Sequence, residues 1–172
     1  MTLTLKRIIF CCLFALIACF GVCYKAAAQE VKPIKLPELQ KILQAQHDTL
    51  YVVNFWATWC KPCVQELPHF ELINTKYQQQ PVKVLLVSLD FVQDLDKRVK
   101  PFVQKRNLKS KVLLLDETDY NSWINKVEPS WSGAIPATLI FNNARKQRTF
   151  IERELSQQEL EELIEPLIPS KS

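Results

Sequence analysis

Two cysteines separated by two residues, directly after a compact apolar run, constrain the fold of this chain more than any other feature. They are Cys60 and Cys63 in the sequence Trp-Cys-Lys-Pro-Cys. They follow residues 50–57, a β-branched and aromatic run that predicts a buried strand. Apolar residues then recur at helical spacing over residues 60–78. Two thiols so close together can form a small-ring disulfide, so the pair can store and release two electrons.

Residues 1–28 have the composition of a secretory signal peptide. Lys6 and Arg7 precede an apolar run over residues 8–24, and three alanines follow it. A short cationic start, an apolar stretch and a small-residue site together predict cleavage by signal peptidase after Ala28.

Cleavage after Ala28 would leave residues 29–172 as one domain in the periplasm, with Cys60 and Cys63 as its only cysteines. Two alternatives remain open from the sequence. The apolar run has the minimum length of about 17 residues that spans a bilayer, so the segment could stay as a membrane anchor. The sequence Leu-Ile-Ala-Cys ending at Cys19 resembles a lipobox, which would place a lipidated protein on the periplasmic side of the membrane.

Most of the formal net charge of +4 comes from the segment predicted to be removed. That segment contains lysine and arginine but no acidic residue, so the rest of the chain is close to neutral. Nothing in the composition of the mature chain therefore indicates a nucleic-acid partner.

Strands and helices alternate along the mature chain. Apolar residues at helical spacing predict helices over residues 36–46, 60–78, 94–106 and 119–127. A last helix is predicted after Ser156, which would cap it. Strands are predicted over residues 50–57, 82–89 and 112–115, and a hairpin over 137–142 and 147–152. This order predicts an α/β sandwich in which helices flank a mixed central β-sheet on both faces.

Three parts of the sequence together resemble the thioredoxin superfamily. They are Asn54-Phe55-Trp56-Ala57-Thr58-Trp59-Cys60-Lys61-Pro62-Cys63, Glu66 with Pro68, and Ile135-Pro136-Ala137-Thr138. More narrowly, the chain is similar to the exported TlpA/ResA-type thiol-disulfide oxidoreductases. The resemblance implies a thioredoxin fold, disulfide-bearing proteins as substrates, a membrane thiol-disulfide electron donor, no cofactor and a monomer.

The predicted helix start explains how the dithiol could react. The attacking species in disulfide exchange is the thiolate, and a free cysteine with a pKa near 8.5 is mostly protonated at neutral pH. Unpaired N–H groups and the positive end of the helix dipole would favour the thiolate of Cys60. We expect Cys60 to be exposed and to attack the substrate, and Cys63 to be buried and to resolve the mixed disulfide. Pro62 suits the first helical turn, and Lys61 either adds positive charge or is a solvated surface residue.

Glu66 is the predicted acid/base. In thioredoxins a buried Asp lies six residues before the first cysteine, but Asn54 occupies that place here and cannot accept a proton. Glu66 lies one helical turn after Cys63, and the resemblance matches it to a glutamate of the exported family. Partial burial would raise its pKa toward neutrality, whereas a surface position would leave it an ordinary glutamate.

The resemblance also implies that Pro136 is cis and that the backbone of Ile135 pairs with the substrate. The predicted substrate-binding residues are therefore Trp59, Pro62, Ile135 and Pro136. Trp123 and Trp131 either rim this surface or are simply packed. Gly133 allows a tight loop or a plain turn.

Other uses of the cysteine pair are weaker predictions. A structural zinc site needs four ligands, and the mature chain offers only His47 and His69 besides the two cysteines. A copper carrier of this fold would need a histidine late in the chain, and a peroxidase would need a single cysteine in its own motif. The expected function is therefore disulfide reduction, with a thiol oxidase or isomerase, or a binding module with a regulatory dithiol, as the alternatives.

Overall fold

The computed structural model describes residues 30–169, in which six strands and five α-helices alternate. The strands are β1 (Lys32–Ile34), β2 (Leu50–Trp56), β3 (Val82–Ser88), β4 (Lys111–Leu115), β5 (Ala137–Asn142) and β6 (Gln147–Ile151). The helices are α1 (Leu36–Leu43), α2 (Lys61–Lys76), α3 (Lys100–Arg106), α4 (Tyr120–Val127) and α5 (Gln157–Ile164). The predicted signal peptide lies outside these residues. None of the described helices is long and apolar enough to cross a membrane.

The strands form one mixed sheet in the order β1-β4-β3-β2-β5-β6. The first four strands of that order run parallel, and β5 runs antiparallel to both β2 and β6. Because β5 is antiparallel to β2, the end of β2 lies beside the start of β5, and Phe55 is opposite Ala137. The residues that follow β2 are thereby brought next to those that precede β5.

Two apolar cores lie on opposite faces of the sheet. Every residue of β2 is buried, and its side chains alternate between the cores, Val52 in one and Val53 in the other. Residues of α2, α3 and α5 contribute to the first core, and residues of α1 and α4 to the second. The predicted mixed sheet with helices on both faces is confirmed.

The structure differs from the prediction in two segments. β1 was not predicted, because it has three residues, includes a proline and buries only Ile34. The helix predicted over residues 94–106 is divided into a 3₁₀ turn (Val92–Asp94), a π-helical turn (Leu95–Val99) and α3. Pro101 has no N–H to donate to the carbonyl four residues earlier, which interrupts regular α-helical hydrogen bonding there.

Candidate active site

The dithiol lies where β2 gives way to α2. Cys60 is the N-cap residue of α2, with extended backbone angles, and its sulfur accepts a hydrogen bond from the Cys63 N–H at 3.3 Å. Pro62 occupies the first turn, where its missing N–H leaves no helical hydrogen bond unmade. Cys60 and Cys63 form a disulfide. The Cys60 sulfur is therefore at the positive end of a 16-residue helix.

The expectation that Cys60 is exposed is wrong for the disulfide-bonded protein. Cys60 is 6% exposed and Cys63 is fully buried. The sulfur of Cys60 is covered because it bonds back to Cys63 and because the carbonyl oxygen of Ile135 lies 3.8 Å from it. The predicted order of accessibility, with Cys60 more accessible than Cys63, is confirmed.

The loop before β5 lies against the dithiol. The Ile135–Pro136 peptide bond is cis, as the resemblance implied. The Ala134 carbonyl accepts a hydrogen bond from the Trp131 indole at 2.8 Å, which ties the start of the loop to its end. Trp131 and Trp123 are both buried and packed against each other, so of the three tryptophans considered for the rim only Trp59 is exposed.

A carboxylate that the sequence did not single out holds this loop. Glu152, directly after β6, accepts hydrogen bonds from the Ser132 N–H at 3.2 Å, from the Ser132 hydroxyl and from the Ala134 N–H at 2.8 Å. Partial burial raises the pKa of Glu152, but the hydrogen bonds from Ser132 and Ala134 outweigh it and the net change is a decrease. Glu152 therefore remains ionised and positions the backbone just before Ile135. No local motif marks it, since its partners are about 20 residues away in sequence.

A pocket of about 350 Å³ opens between this loop, the dithiol loop and α4. Trp59, Tyr120, Ile124, Gly133 and Ile135 are among the residues that line it. Gly133 has a φ of +97°, and an added Cβ would lie 3.0 Å from the Ile124 Cδ1 atom. The positive φ therefore favours glycine at this position, whereas the contact with the end of the Ile124 side chain could be relieved by a small shift of that side chain.

Glu66 lies one turn along α2 from Cys63 and is fully buried, so of the two positions that the sequence left open the buried one is observed. One carboxylate oxygen accepts from the Asn54 amide at 2.7 Å, and the other accepts from the Leu155 N–H at 2.8 Å. Burial raises the pKa of Glu66 to about 7, although the hydrogen bonds from Leu155 and Asn54 act in the opposite direction. The nearby charge of Glu154 adds to the increase in pKa.

Asn54 connects Glu66 to the strand beside the cis-proline. Its amide nitrogen also donates to the Thr138 hydroxyl at 3.2 Å, and its carbonyl oxygen, although buried, has no hydrogen-bond partner among the described residues. Thr138 belongs to the motif on which the resemblance rests. The hydrogen bond between Leu155 and Glu66 joins residues 89 apart, and no sequence pattern indicated it.

A second buried carboxylate orders the loop that leads to Cys60. Asp90 accepts hydrogen bonds from the N–H of Thr58 at 2.9 Å and from its hydroxyl at 2.5 Å. The Ser88 hydroxyl also donates to Asp90, at 2.8 Å. Asp90, which follows β3, therefore fixes the backbone at Thr58, just before Trp59 and Cys60.

The structure brings Trp59, the dithiol, Ile135 and Pro136 to one end of the sheet, with Glu66 buried behind them. Among residues 30–169, no three His, Cys, Asp or Glu side chains are grouped so that they could hold a metal ion.

The helix N-terminus predicts unequal reactivity of the two thiols. In the fully reduced protein at pH 7, we expect iodoacetamide to alkylate Cys60 at least about tenfold faster than Cys63, because Cys60 is better placed for thiolate formation and is more accessible. Peptide mass spectrometry of briefly labelled protein measures both rates. Faster labelling of Cys63 would overturn the assignment of Cys60 as the attacking residue.

Burial of Glu66 predicts that this residue makes stability depend on pH. Its folded-state pKa is raised, so its contribution to stability is fully present below about pH 4.5 and is lost as the pH rises through about 7. We therefore compare the unfolding free energy of the wild type with that of Glu66→Gln. Relative to the variant, the wild type should lose about 3 kcal/mol of stability between pH 4.5 and pH 8.

Urea denaturation of the oxidised proteins at both pH values measures this difference. Glu162→Gln, the same substitution at an exposed position of α5, is the matched control. A difference between the wild type and Glu66→Gln that stays constant from pH 4.5 to pH 8 would show that Glu66 does not titrate near neutrality.

The hydrogen bonds to Glu152 predict that this residue limits motion of the loop. In Glu152→Ala the amides of Ser132 and Ala134 lose a charged acceptor, so we expect their hydrogen exchange to become about tenfold faster or more. Exchange measured by NMR tests this expectation, with Glu154→Ala as the control. Unchanged protection of both amides would mean that the loop holds its shape without Glu152.

Comparison with known proteins places this arrangement in a family. Residues 24–148 match the AhpC/TSA family. A thiol-disulfide oxidoreductase ResA of Bacillus thuringiensis subsp. konkukian is 30% identical over 119 residues, which is 68% of this chain and 62% of that protein. The ResA of Geobacillus thermodenitrificans is 26% identical over 117 residues, with the same coverage. The chain thus spans less than two thirds of the length of these relatives.

Solved structures share the fold. A thioredoxin-related protein from Neisseria meningitidis serogroup B aligns with a TM-score of 0.61 at 20% identity, covering 73% of this chain and 89% of that one. A secreted thiol-disulfide isomerase from Corynebacterium glutamicum aligns with a TM-score of 0.58 at 19% identity, covering 70% and 71%. These likenesses confirm the thioredoxin-like fold. The chain belongs to the AhpC/TSA family and is similar to thiol-disulfide oxidoreductases named ResA.

Proposed function

We propose that the protein is an exported thiol-disulfide oxidoreductase that reduces protein disulfides in the cell envelope. The observation that carries this proposal is the Cys60–Cys63 disulfide at the N-terminus of α2, in contact with the cis-proline loop. The similarity to ResA-type proteins supports it. The electrons would come from a membrane thiol-disulfide donor, and the protein would work as a monomer.

The reaction would begin when the Cys60 thiolate attacks one sulfur of a substrate disulfide. A mixed disulfide forms, and the other substrate sulfur leaves as a thiolate. Cys63 then loses its proton and attacks the Cys60 sulfur, which re-forms the Cys60–Cys63 disulfide and releases the second substrate sulfur. The substrate gains two electrons and the dithiol loses two, so the protein must be reduced again before the next cycle.

Substrate would bind in the cleft between Trp59 and the cis-proline loop. The 57% exposure of Trp59 offers an apolar contact beside the dithiol. The backbone of Ile135 would pair with the extended substrate chain, and Pro62 and Pro136 would shape the two walls. The pocket of about 350 Å³ beside them is large enough for one side chain of the substrate.

Glu66 would accept the proton of Cys63. With a pKa of about 7, this carboxyl group can both take up and release a proton near neutral pH. Once protonated, its O–H needs an acceptor. The unpartnered carbonyl oxygen of Asn54 would supply that acceptor if the side-chain amide of Asn54 rotated by about 180°, which exchanges the positions of its oxygen and nitrogen. Asn54 would then serve as a switchable partner for Glu66 rather than as a base.

The first test is turnover. With dithiothreitol as the electron source, we expect the wild type to accelerate insulin reduction and Cys60→Ser to lose this activity completely. In Cys63→Ser the first attack survives but resolution does not, so substrate proteins should remain disulfide-linked to Cys60. No acceleration by the wild type would indicate a binding module, and efficient oxidation of reduced substrates without reduction would indicate an oxidase.

The second test separates the two chemical steps. Glu66→Gln keeps the size of the side chain but cannot accept a proton, so resolution by Cys63 should slow by up to about 100-fold while the attack by Cys60 is unchanged. Rapid-quench measurements should show the mixed disulfide accumulating in this variant but not in Glu162→Gln. Resolution at the wild-type rate between about pH 6 and pH 9 would exclude Glu66 as the base.

A further inference from the structure

A basic groove lies at the end of the sheet opposite the dithiol. It has a volume of about 600 Å³, and the residues that line it include Lys41, His47, Tyr51, Lys83 and Lys111, with no aspartate or glutamate among them. Each of the three lysines comes from a different element, namely the last turn of α1 and the first residues of β3 and β4. The fold therefore collects positive charge from distant parts of the sequence.

The three lysines of this groove are available to an external anion. All three are exposed, and none forms an ion pair within residues 30–169, although the charge of Lys41 adds to the hydrogen bond from the Lys35 N–H in lowering the pKa of Glu38. By contrast, Lys35 and Lys76 are paired with acidic side chains. The Lys83 ammonium group lies 5.7 Å from the centre of the Tyr51 ring, so an aromatic surface and not a carboxylate supports it.

Acidic side chains outnumber basic ones at the opposite end of the sheet, where Lys61 and Arg153 also lie. Asp90 follows β3, Glu117 follows β4 and Glu152 follows β6, and these three strands all end on the dithiol side. The charge of the domain is thus separated along the strand axis, although residues 29–172 are close to neutral as a whole. A negatively charged membrane surface would therefore attract the basic groove more strongly than the dithiol end.

The chain also enters the fold on the basic side. β1 is parallel to β4, with Lys32 opposite Leu113, so both strands start at the end of the sheet where Lys111 lies. The residues that precede β1 in sequence are therefore joined to the fold on the same side as the groove.

We propose that the basic groove is a membrane-facing surface that binds the anionic head groups of a phospholipid bilayer. Lysines close to an anionic bilayer each strengthen binding several-fold, and the effect falls off within a Debye length. Bound in this way, the domain holds the dithiol on the side away from the membrane, open to protein substrates. The domain would have to leave the bilayer or turn over to be reduced by the membrane donor proposed above. The proposal does not depend on which way electrons flow through the dithiol.

The direct test is an acetylation footprint of the full chain. The protein is mixed with vesicles of phosphatidylcholine alone or with about 30% phosphatidylglycerol, and lysine acetylation is followed by mass spectrometry. We expect phosphatidylglycerol to slow acetylation of Lys41, Lys83 and Lys111 by about fivefold or more, and about 0.5 M NaCl to abolish the protection. Lys97 and Lys126, exposed and outside the groove, should react equally in both vesicles.

Three results would overturn the proposal. These are equal acetylation of the groove lysines in both vesicles, equal protection of Lys97 and Lys126, and protection by inorganic phosphate alone at the same phosphate concentration. The last result would indicate a site for small anions. Each comparison is between two lipid compositions. A membrane anchor in residues 1–29 would act in both kinds of vesicle, so it would not by itself produce the expected difference.

A variant provides the second measurement. In the combined change Lys41→Glu, Lys83→Glu and Lys111→Glu, His47 remains in the groove, and its modification by diethyl pyrocarbonate reports contact with lipid. Phosphatidylglycerol should protect His47 in the wild type and in the control Lys97→Glu/Lys126→Glu, but not in the triple variant. Equal protection of His47 in all three proteins would contradict a role for the three lysines.

Discussion

The candidate active site depends on one carboxylate buried inside the first apolar core. Glu66 projects from α2, accepts from Asn54 on β2 and accepts from the backbone N–H of Leu155 just before α5. An isolated buried carboxylate is costly in its ionised form, and two hydrogen bonds offset only part of that cost. The result is a carboxyl group whose pKa is raised to about 7. The same contacts that join three elements thus hold a carboxyl group with a pKa near neutrality, which the proposed acid/base role of Glu66 requires.

The sheet topology explains why the dithiol and the cis-proline loop meet although they are far apart in sequence. β2 ends just before Cys60 and β5 begins just after Pro136, and these two strands are antiparallel neighbours. Asp90 and Glu152 then fix the two loops that follow β2 and precede β5, each by accepting several hydrogen bonds. A fully buried strand and two carboxylates therefore set the geometry around the sulfurs.

Much of this arrangement could be predicted from the sequence, because its signals are local. The apolar run of β2, the spacing of Cys60 and Cys63 and the capping residue Ser156 depend only on neighbours in sequence. The cis bond came from family resemblance alone, because a cis bond is a minority state that no local pattern marks. The role of Glu152, the contact with Leu155 and the low exposure of Cys60 could not be predicted, because each depends on segments that only the folded chain brings together.

The proposed role of Glu66 requires that its carboxyl group titrates near neutrality inside the folded protein. The most direct measurement is an NMR titration of the side-chain carboxyl carbon in oxidised protein labelled with ¹³C-glutamate. The resonance of Glu66 is identified by its absence from the Glu66→Gln spectrum. We expect a midpoint at about pH 7. A midpoint near the ordinary glutamate value of about 4.3 would contradict the proposed role, because the carboxylate would then be too weak a base to take up the proton of Cys63 efficiently at neutral pH.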